Sequence, residues 1–298
     1  MIWTLVLMLT CAVGVQMARE RVYPRETVDD QVLYVRSGTV MEKAALSYDA
    51  VLADVYWVRA LQHYGGNRLK AGDTKRYDLL YPLLDLTTTL DPGFILAYRF
   101  GAIFLAEPQP GGAGRPDLAI ALLKKGVSAK PEKWDYYHDI GFVYYWNLHD
   151  YTSAAEWFKR GGDLPGAPWW LKTYAATMLV RGGDRQASRF MWQQLGQTDD
   201  QWMRETAQLR LLQLDALDHI DTLERAVKEF ARVTGTLPAS WEQLIAAGRL
   251  RGIPLDPAGT PYVLHAATGD VGVAASSKMS PLPTEPAAAP ELKAPVQP

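Results

Sequence analysis

Apolar residues recur every three or four positions along the middle of the chain, from Tyr48 to Val233, and no long stretch there alternates with a period of two. This spacing is typical of amphipathic helices rather than of strands. Pro92, Pro131 and Pro165 follow the ends of successive segments, because the residue before a proline is displaced from the helical region. The pattern therefore predicts a series of helix pairs separated by proline-containing turns.

Small residues take equivalent places in successive predicted helices. The second helix of each pair carries an alanine followed four residues later by a bulky side chain: Ala119 with Leu123, Ala154 with Phe158, and Ala187 with Met191. The first helices carry a small residue followed three residues later by a large one: Gly101 with Phe104, Gly141 with Tyr144, and Ala175 with Met178. The alanines lie 35 and 33 residues apart. A period of about 34 residues with this rhythm is typical of the tetratricopeptide repeat.

The chain from about 48 to 197 resembles a tetratricopeptide-repeat array. Two clear units, Phe94–Pro131 and Trp134–Pro165, lie between two degenerate ones, Asp54–Pro92 and Pro168–Gln197. Departures from the repeat are two insertions and one proline within a helical stretch: Gly65–Lys75, Glu107–Arg115 and Pro82. Strings such as DIGFVYYWNLHDYTSAAEWF also resemble repeat proteins associated with the bacterial envelope, which implies a location and no activity.

A stack of such helix pairs implies a concave groove lined by the first helix of each pair, because each pair must bury its apolar face against its neighbours. We expect that groove to carry aromatic and charged side chains that anchor a partner protein. The candidate groove residues are Arg59, Arg99, Asp139, Tyr145, Trp146, Trp169 and Lys172. The alternative is that the aromatic stripe between Tyr136 and Trp146 packs in the core.

The repeat-like array is predicted over 48–220, and its last helix runs from about Asp200 to His219. Asp221 and Glu224 then have the spacing of a capping box, which predicts a new helix that ends at Gly235. The remaining pattern predicts a short helix and a hairpin whose two strands follow turns. The short helix falls over 240–248, the first turn and strand over 253–265, and the second strand over 271–275.

The strings TGTLPASWEQL, IPLDPAGTPYVL and GDV are similar to the C-terminal part of type II secretion major pseudopilins. The resemblance implies a small α+β module over 221–277 and a place in a secretion machine. The chain departs from a pseudopilin because a repeat array intervenes where a long assembly helix is expected. Asp256 and Asp270 supply two carboxylates, whereas calcium takes roughly six or more oxygens. The alternative is a cap that covers the last repeat.

The N-terminal segment 1–18 contains no charged side chain. As a helix rising ~1.5 Å per residue it approaches the ~30 Å thickness of a bilayer's hydrocarbon core. We therefore expect a signal or membrane anchor, followed by a linker over 19–47. The arginines at 19, 21 and 25 favour a cytoplasmic flank by charge bias alone, whereas the envelope resemblance favours a periplasmic body, so the side stays open.

The segment 278–298 predicts a disordered tail, because six of its 21 residues are proline and it offers few large apolar side chains to pack. Cys11 lies within the N-terminal apolar run, after Thr10, which is a poor match to lipoprotein processing. We therefore expect its thiol to be an ordinary part of that segment.

Composition narrows the possible chemistry. The 298 residues are 48% hydrophobic, and 31 basic against 33 acidic residues give a net charge of −2, which argues against nucleic-acid binding. The single cysteine excludes an intramolecular disulfide and a thiolate zinc site. The five histidines show no metal-ligand spacing, and the adjacent His138 and Asp139 are expected to point in different directions. Phosphate-binding and nucleophile-elbow motifs are also missing.

Taken together, these patterns predict a mostly α fold, a tetratricopeptide-type helical-hairpin solenoid with a small C-terminal α+β module. The expected function is a membrane-tethered scaffold that binds other proteins through the groove, with no enzymatic activity, cofactor, metal or small-molecule substrate. The expected place is the bacterial inner membrane, with the body on the periplasmic side. The alternative is a structural component of a type II secretion or type IV pilus-like machine.

Overall fold

The structure, a computed structural model, describes residues 2–22, 41, 45, 47–70 and 75–286, and the chain divides into two compact units, Met1–Pro131 and Glu132–Pro298. The first unit contains α1 (Ile2–Val22), α2 (Asp49–Leu69), α3 (Leu80–Leu90), α4 (Ile95–Ala106) and α5 (Pro116–Ala129). The second contains α6 (Trp134–Trp146), α7 (Tyr151–Gly162), α8 (Trp170–Arg181), α9 (Arg185–Leu195), α10 (Gln201–Thr234), α11 (Trp241–Ala246), β1 (Val263–Leu264) and β2 (Val271–Gly272). The predicted mostly α class, with a small hairpin, is confirmed.

The predicted N-terminal segment 1–18 lies largely within α1, and Cys11 is exposed there. Among the residues that the structure describes, no helix is both long and apolar enough to span a bilayer. The membrane anchor therefore stays a prediction. Most of the predicted linker 19–47 lies outside the described residues.

Helices of the first unit pack in chain order, α2 against α3, α3 against α4, and α4 against α5. A Cβ on Gly101 of α4 would lie 2.8 Å from a methyl group of Leu84 and 3.0 Å from one of Leu122. Glycine at this position therefore allows α3 and α5 to approach α4 closely. Pro82 lies in the first turn of α3, where its missing N–H removes no hydrogen bond of the helix.

The second unit repeats this arrangement with α6 against α7, α7 against α8, and α8 against α9. Gly141 of α6 lies against the ring of Phe158, and Ala154 and Ala175 are fully buried at the equivalent places. In α9 the fully buried small residue is Ser188, one position after the expected alanine, and its hydroxyl donates a hydrogen bond of 2.8 Å to the carbonyl of residue 176. Helix pairs of the predicted lengths are therefore present in both units.

The predicted helix boundary between 219 and 221 is wrong, because α10 is one continuous helix of 34 residues that runs through it. Buried Ile220, Leu223 and Val227 continue the apolar stripe of the helix, and no glycine or proline interrupts it. The capping-box residues have other partners: Asp221 accepts from Arg185, and Glu224 accepts from a backbone N–H of β2. A helix of this length spans about 50 Å, so α10 serves both the helix pairs and the C-terminal module.

The C-terminal module surrounds a core of its own. α10, α11 and the hairpin contribute Leu223, Val227, Trp241, Leu244, Tyr262 and Val271 to it. The indole Nε1 of Trp241 donates a hydrogen bond of 2.9 Å to the carbonyl of Tyr262, and β1 pairs antiparallel with β2. The buried carboxylate of Asp256 accepts backbone N–H groups of residues 258 and 260, each at 2.9 Å, and the hydroxyl of Ser277. It therefore holds the turn before the hairpin closed.

The predicted tail over 278–298 differs from the structure at its start. Residues 278–286 follow the module closely, with Met279 buried and Leu282 packed against two core clusters. Proline did not prevent packing here, because two large apolar side chains are packed and the carboxylate of Glu285 pairs with Arg185. The rest of the predicted tail, 287–298, lies outside the described residues.

Replacing Gly141 by alanine is expected to destabilise the second unit by about 1–3 kcal/mol, because the new Cβ would lie 2.6 Å from the ring of Phe158. Urea unfolding followed by circular dichroism measures the change. Gly65→Ala is the matched control: it also lies within a helix but meets no atom within 4 Å. The control should be neutral or stabilising by up to about 1 kcal/mol, and equal stability of the two variants would contradict the packing argument.

A second prediction concerns alkaline pH. Burial, followed by the charges of Asp256 and Asp215, raises the pKa of Tyr262 to about 12 from its ordinary value of 10.0. The unfolded chain loses this proton first, so the contribution to stability is complete below pH 10 and declines as the pH rises towards 12. Unfolding free energies measured between pH 9 and 11.5 should therefore fall less steeply in Tyr262→Phe than in the wild type. The exposed Tyr48→Phe, as control, should follow the wild-type curve.

Candidate functional site

We call the first helix of each pair, α2, α4, α6 and α8, together with α10, the inner helices. In the part of the chain that the structure describes, the exposed large apolar side chains of the paired helices lie almost entirely on them. In the first unit they include Val55 and Val58 of α2, and Leu96, Phe100 and Ile103 of α4. In the second unit they include Phe142 and Trp146 of α6, Tyr174 of α8, and Trp202 and Leu209 of α10. Phe190 on α9 is the exception among the described second helices.

Ring contacts within each unit show that inner helices lie side by side. In the first unit, Tyr64 of α2 stacks on Phe104 of α4 with ring centroids 4.1 Å apart. In the second unit, Trp134 of α6 meets Trp170 of α8 edge-on at 5.8 Å. Trp169, at the start of α8, meets Trp202 of α10 in the same manner at 5.2 Å. Each unit therefore presents an apolar face made by adjacent inner helices.

The second unit contains a cavity of about 440 Å³ on this face, which we call the inner-face cavity. It is lined by residues of α6, α7, α8, α9 and α10: Phe142, Tyr145, Phe158, Thr173, Tyr174, Thr177, Met178, Arg181, Trp192, Trp202, Thr206 and Arg210. Aromatic rings and threonine hydroxyls dominate this surface, and none of the described lining residues is acidic. Such a cavity can enclose a large apolar side chain and place polar groups around it.

Two arginines give the inner-face cavity a positive character. The guanidinium of Arg181 donates a hydrogen bond of 3.1 Å to the hydroxyl of Tyr145 and lies 5.4 Å from the centre of its ring. The guanidinium of Arg210 donates to the side-chain carbonyl of Gln213 at 2.8 Å. Each contact fixes the direction of one guanidinium and leaves other donors of the planar group available.

A second cavity of about 300 Å³ lies beside the inner-face cavity, and four residues line both: Thr177, Arg181, Trp192 and Arg210. Residues 281–284 also line this second cavity. They belong to the segment 279–286, which we call the C-terminal strap. The chain's own terminal segment therefore lies on the same face as the inner-face cavity.

The C-terminal strap is held mainly by side chains. The amide of buried Gln213 donates hydrogen bonds of 3.0 Å to the carbonyls of Met279 and Pro281. Leu282 packs on the cluster of α8, α9 and α10 that contains Trp192. Within the described part of the chain, residues 281–286 make no backbone-to-backbone hydrogen bond. The strap thus binds as an extended segment anchored by the apolar side chains of Met279 and Leu282.

A charged group completes the attachment of the strap. Arg185 donates two hydrogen bonds of 2.5 Å to the carboxylate of Glu285 and also pairs with Asp218 and Asp221. The hydrogen bonds that Arg185 donates to Glu285, more than any other contact, raise the pKa of Arg185 above its ordinary value. The guanidinium therefore stays charged, and bidentate pairing fixes the orientation of the carboxylate.

The structure divides the predicted groove residues of the second unit. Tyr145 lines the inner-face cavity, and exposed Trp146 stacks on Phe142 at its edge. Trp169 packs on the cavity residue Trp202. Asp139 and Lys172 do not line the cavity.

The two charged residues have partners of their own. Lys172 pairs with Asp163 at 3.0 Å, at the end of α7. Asp139 lies 2.9 Å from Nδ1 of His138, so the expectation that these neighbours point in different directions is wrong. Successive residues of a helix can still meet when both side chains bend towards the same side.

In the first unit, Arg59 and Arg99 are half-buried on α2 and α4. The guanidinium of Arg59 lies 5.2 Å from the centre of the Tyr56 ring. Each arginine is next in sequence to an exposed apolar residue of its helix, Val58 or Phe100. Both therefore lie at the border of the apolar face of that unit.

Sequence reasoning missed Trp202, Arg181 and Arg210. The long helix α10 is predicted as the last helix of the array, but none of its residues is among the predicted groove residues. One signal was present: Trp202 follows Trp169 by 33 residues, which is one repeat period. No comparable signal marks the arginines, because their importance depends on which side chains surround them in the folded part of the chain that the structure describes.

No family model, curated protein or solved structure matches the chain. Among the described residues, no group of three or more His, Cys, Asp or Glu side chains could hold a metal ion. The positive aromatic cavity and the bound strap are therefore the features on which a function can be argued.

Replacing Leu282 by alanine is expected to weaken the attachment of the C-terminal strap, because it removes the apolar side chain that packs on the cluster around Trp192. We expect a loss of about 1–2 kcal/mol in unfolding free energy and faster proteolysis of the terminal segment. Thr284→Ala, which changes an exposed strap residue, is the control. Identical proteolysis of the two variants would contradict a strap anchored by Leu282.

Proposed function

We propose that the chain is a protein-interaction scaffold of the tetratricopeptide-repeat type, whose inner helices bind an extended segment of a partner protein. The observation that carries the proposal is the C-terminal strap, an extended segment already bound next to the inner-face cavity. The strap supports the proposal because the helices hold it through apolar side chains, backbone carbonyls and a carboxylate, groups that an extended segment of a partner would also offer.

The distribution of exposed apolar side chains supports the same function. Large apolar groups that face solvent together mark interaction sites, because a soluble surface seldom keeps such groups adjacent without a partner. Here they concentrate on the inner helices of each unit, and tryptophan and tyrosine, which often dominate binding energy, are prominent in the second. The inner-face cavity provides the enclosed place where such an anchor can lose its contact with water.

The proposal includes a tether. The N-terminal helix α1 has an uncharged sequence up to residue 18, which supports its use as a membrane anchor. The body would then bind partners beside the inner membrane of a bacterium, on the periplasmic side. Binding requires no turnover, so no step depends on a metal or cofactor.

A second candidate is a structural component of a secretion or pilus-like machine, integrated through the C-terminal module. The observation that favours it is a group of exposed apolar residues on the module, Ile253, Leu255 and Val263. The bridge between residues 255 and 261 places Leu255 beside the strand that leads to Val263. In this case substitution of that group, and not of the inner helices, would prevent incorporation into the machine.

The decisive experiment compares proximity labelling by the wild-type full chain with labelling by three variants. Phe142→Ala with Trp202→Ala removes two rings from the inner-face cavity, and Phe190→Ala removes an equally exposed ring from α9. We expect labelling of specific partners to fall at least tenfold in the double variant and to remain in the control. Unchanged labelling in the double variant would refute the proposal, and loss only in Ile253→Ser with Leu255→Ser would favour the second candidate.

A further inference from the structure

The arginines of the second unit fall into two groups. Four of those that the structure describes there are half-buried: Arg181, Arg185, Arg189 and Arg210. Arg185 pairs with three carboxylates and Arg189 with two. Among the described residues, Arg181 and Arg210 pair with none, and both line the inner-face cavity.

A half-buried guanidinium without a carboxylate is unusual where neighbouring arginines are fully paired. Partial burial removes water from the charge, and a nearby anion restores the lost interaction. Two such groups on one cavity create a positive potential there. An anionic group entering the cavity would therefore gain more there than at an exposed arginine.

The other residues that line the cavity indicate which chemical group of the ligand should lie next to the anionic group. Phe142, Tyr174 and Trp202 are exposed rings on three different helices, and they surround one space. Rings prefer offset or edge-to-face contact with another ring, which a cavity of about 440 Å³ can accommodate. The same ligand should therefore carry an aromatic group next to its carboxylate.

The C-terminal strap gives a precedent for this mode of binding on the same face. Its Leu282 enters an apolar site while its Glu285, three residues further, reaches an arginine. The inner-face cavity offers the corresponding pair of features, an aromatic space and two arginines, without an occupant from the described chain. Arg181 and Arg210 also line the second cavity beside the strap.

We infer that the inner-face cavity is a binding site for an acidic-aromatic segment of a partner protein, in which Arg181 and Arg210 hold the side-chain carboxylate and the rings of Phe142, Tyr174 and Trp202 enclose the aromatic side chain. This inference rests on the proposed function and adds the chemistry of the ligand. The carboxylate accepts charge-assisted hydrogen bonds from the guanidinium donors that the contacts with Tyr145 and Gln213 leave available.

The test uses the full chain and three blocked tetrapeptides as probes: acetyl-Gly-Trp-Asp-Gly-amide and the versions with Asn or Lys in place of Asp. The Asn peptide has nearly the shape of the Asp peptide and lacks its charge. Affinities are measured by NMR titration, which also locates the binding site through the shifted signals. We expect the Asp peptide to bind about tenfold more tightly than the Asn peptide and the Lys peptide to bind most weakly.

Three variants separate the contributions. Arg181→Met and Arg210→Met should each reduce the preference for Asp over Asn severalfold while the Asn peptide still binds, because the methionine keeps the apolar part of the side chain. Arg160→Met is the control, since this arginine lies on α7 over the ring of Trp157 and does not line the cavity. Trp202→Ala should weaken all three peptides.

The outcomes distinguish this inference from the function on which it rests. Equal affinity for the Asp and Asn peptides, with loss of both in Trp202→Ala, would overturn the carboxylate site and leave the interaction face intact. A preference for Asp that survives both arginine substitutions would place the carboxylate elsewhere and also overturn the inference. Failure of every peptide to shift signals of the cavity residues would count against both.

Discussion

Close approach of neighbouring helices is the constraint on which the rest of the structure depends. Gly101 and Gly141 each face a large side chain where a Cβ would not fit, and Ala154 and Ala175 take equivalent buried places. This contact orients the two helices of a pair so that one side of the first helix stays outside the core. The exposed rings of the inner helices, and hence the inner-face cavity, follow from that orientation. A larger residue at Gly141 would displace Phe158, which lines the inner-face cavity.

The second unit contains a long helix, α10, that takes part in two regions of the structure. Helix α10 acts first as an inner helix, where it contributes Trp202 and Arg210 to the cavity, and then as the support of the C-terminal module. The strap returns from that module to the middle of the same helix, where Gln213 holds its carbonyls. One continuous helix therefore connects the module, the strap and the cavity. Packing of the module can in this way affect residues 281–284, which line the second cavity.

Some arginines of the second unit hold its elements together, and others remain available to bind a ligand. Arg185 and Arg189 are saturated by Asp215, Asp218, Asp221 and Glu285, and they fix α9, α10 and the strap together. Arg181 and Arg210 lie on the same face and contact only neutral oxygen atoms and rings among the described residues. The same residue type thus stabilises the unit in one place and remains available for a ligand in the other. The difference arises from which turns of α10 carry aspartate.

The sequence by itself determined the helix pairs, because apolar spacing, small residues at fixed intervals and prolines after each pair are local or periodic signals. It also determined the short helix and hairpin at the C-terminus through turn residues. Only the tertiary structure decided that α10 is continuous, since burial of Ile220 and Leu223 outweighs a local capping pattern. The packed strap, and the two arginines that meet no carboxylate among the described residues, were likewise decided there, because contacts between residues distant in sequence leave no mark in the residues beside them.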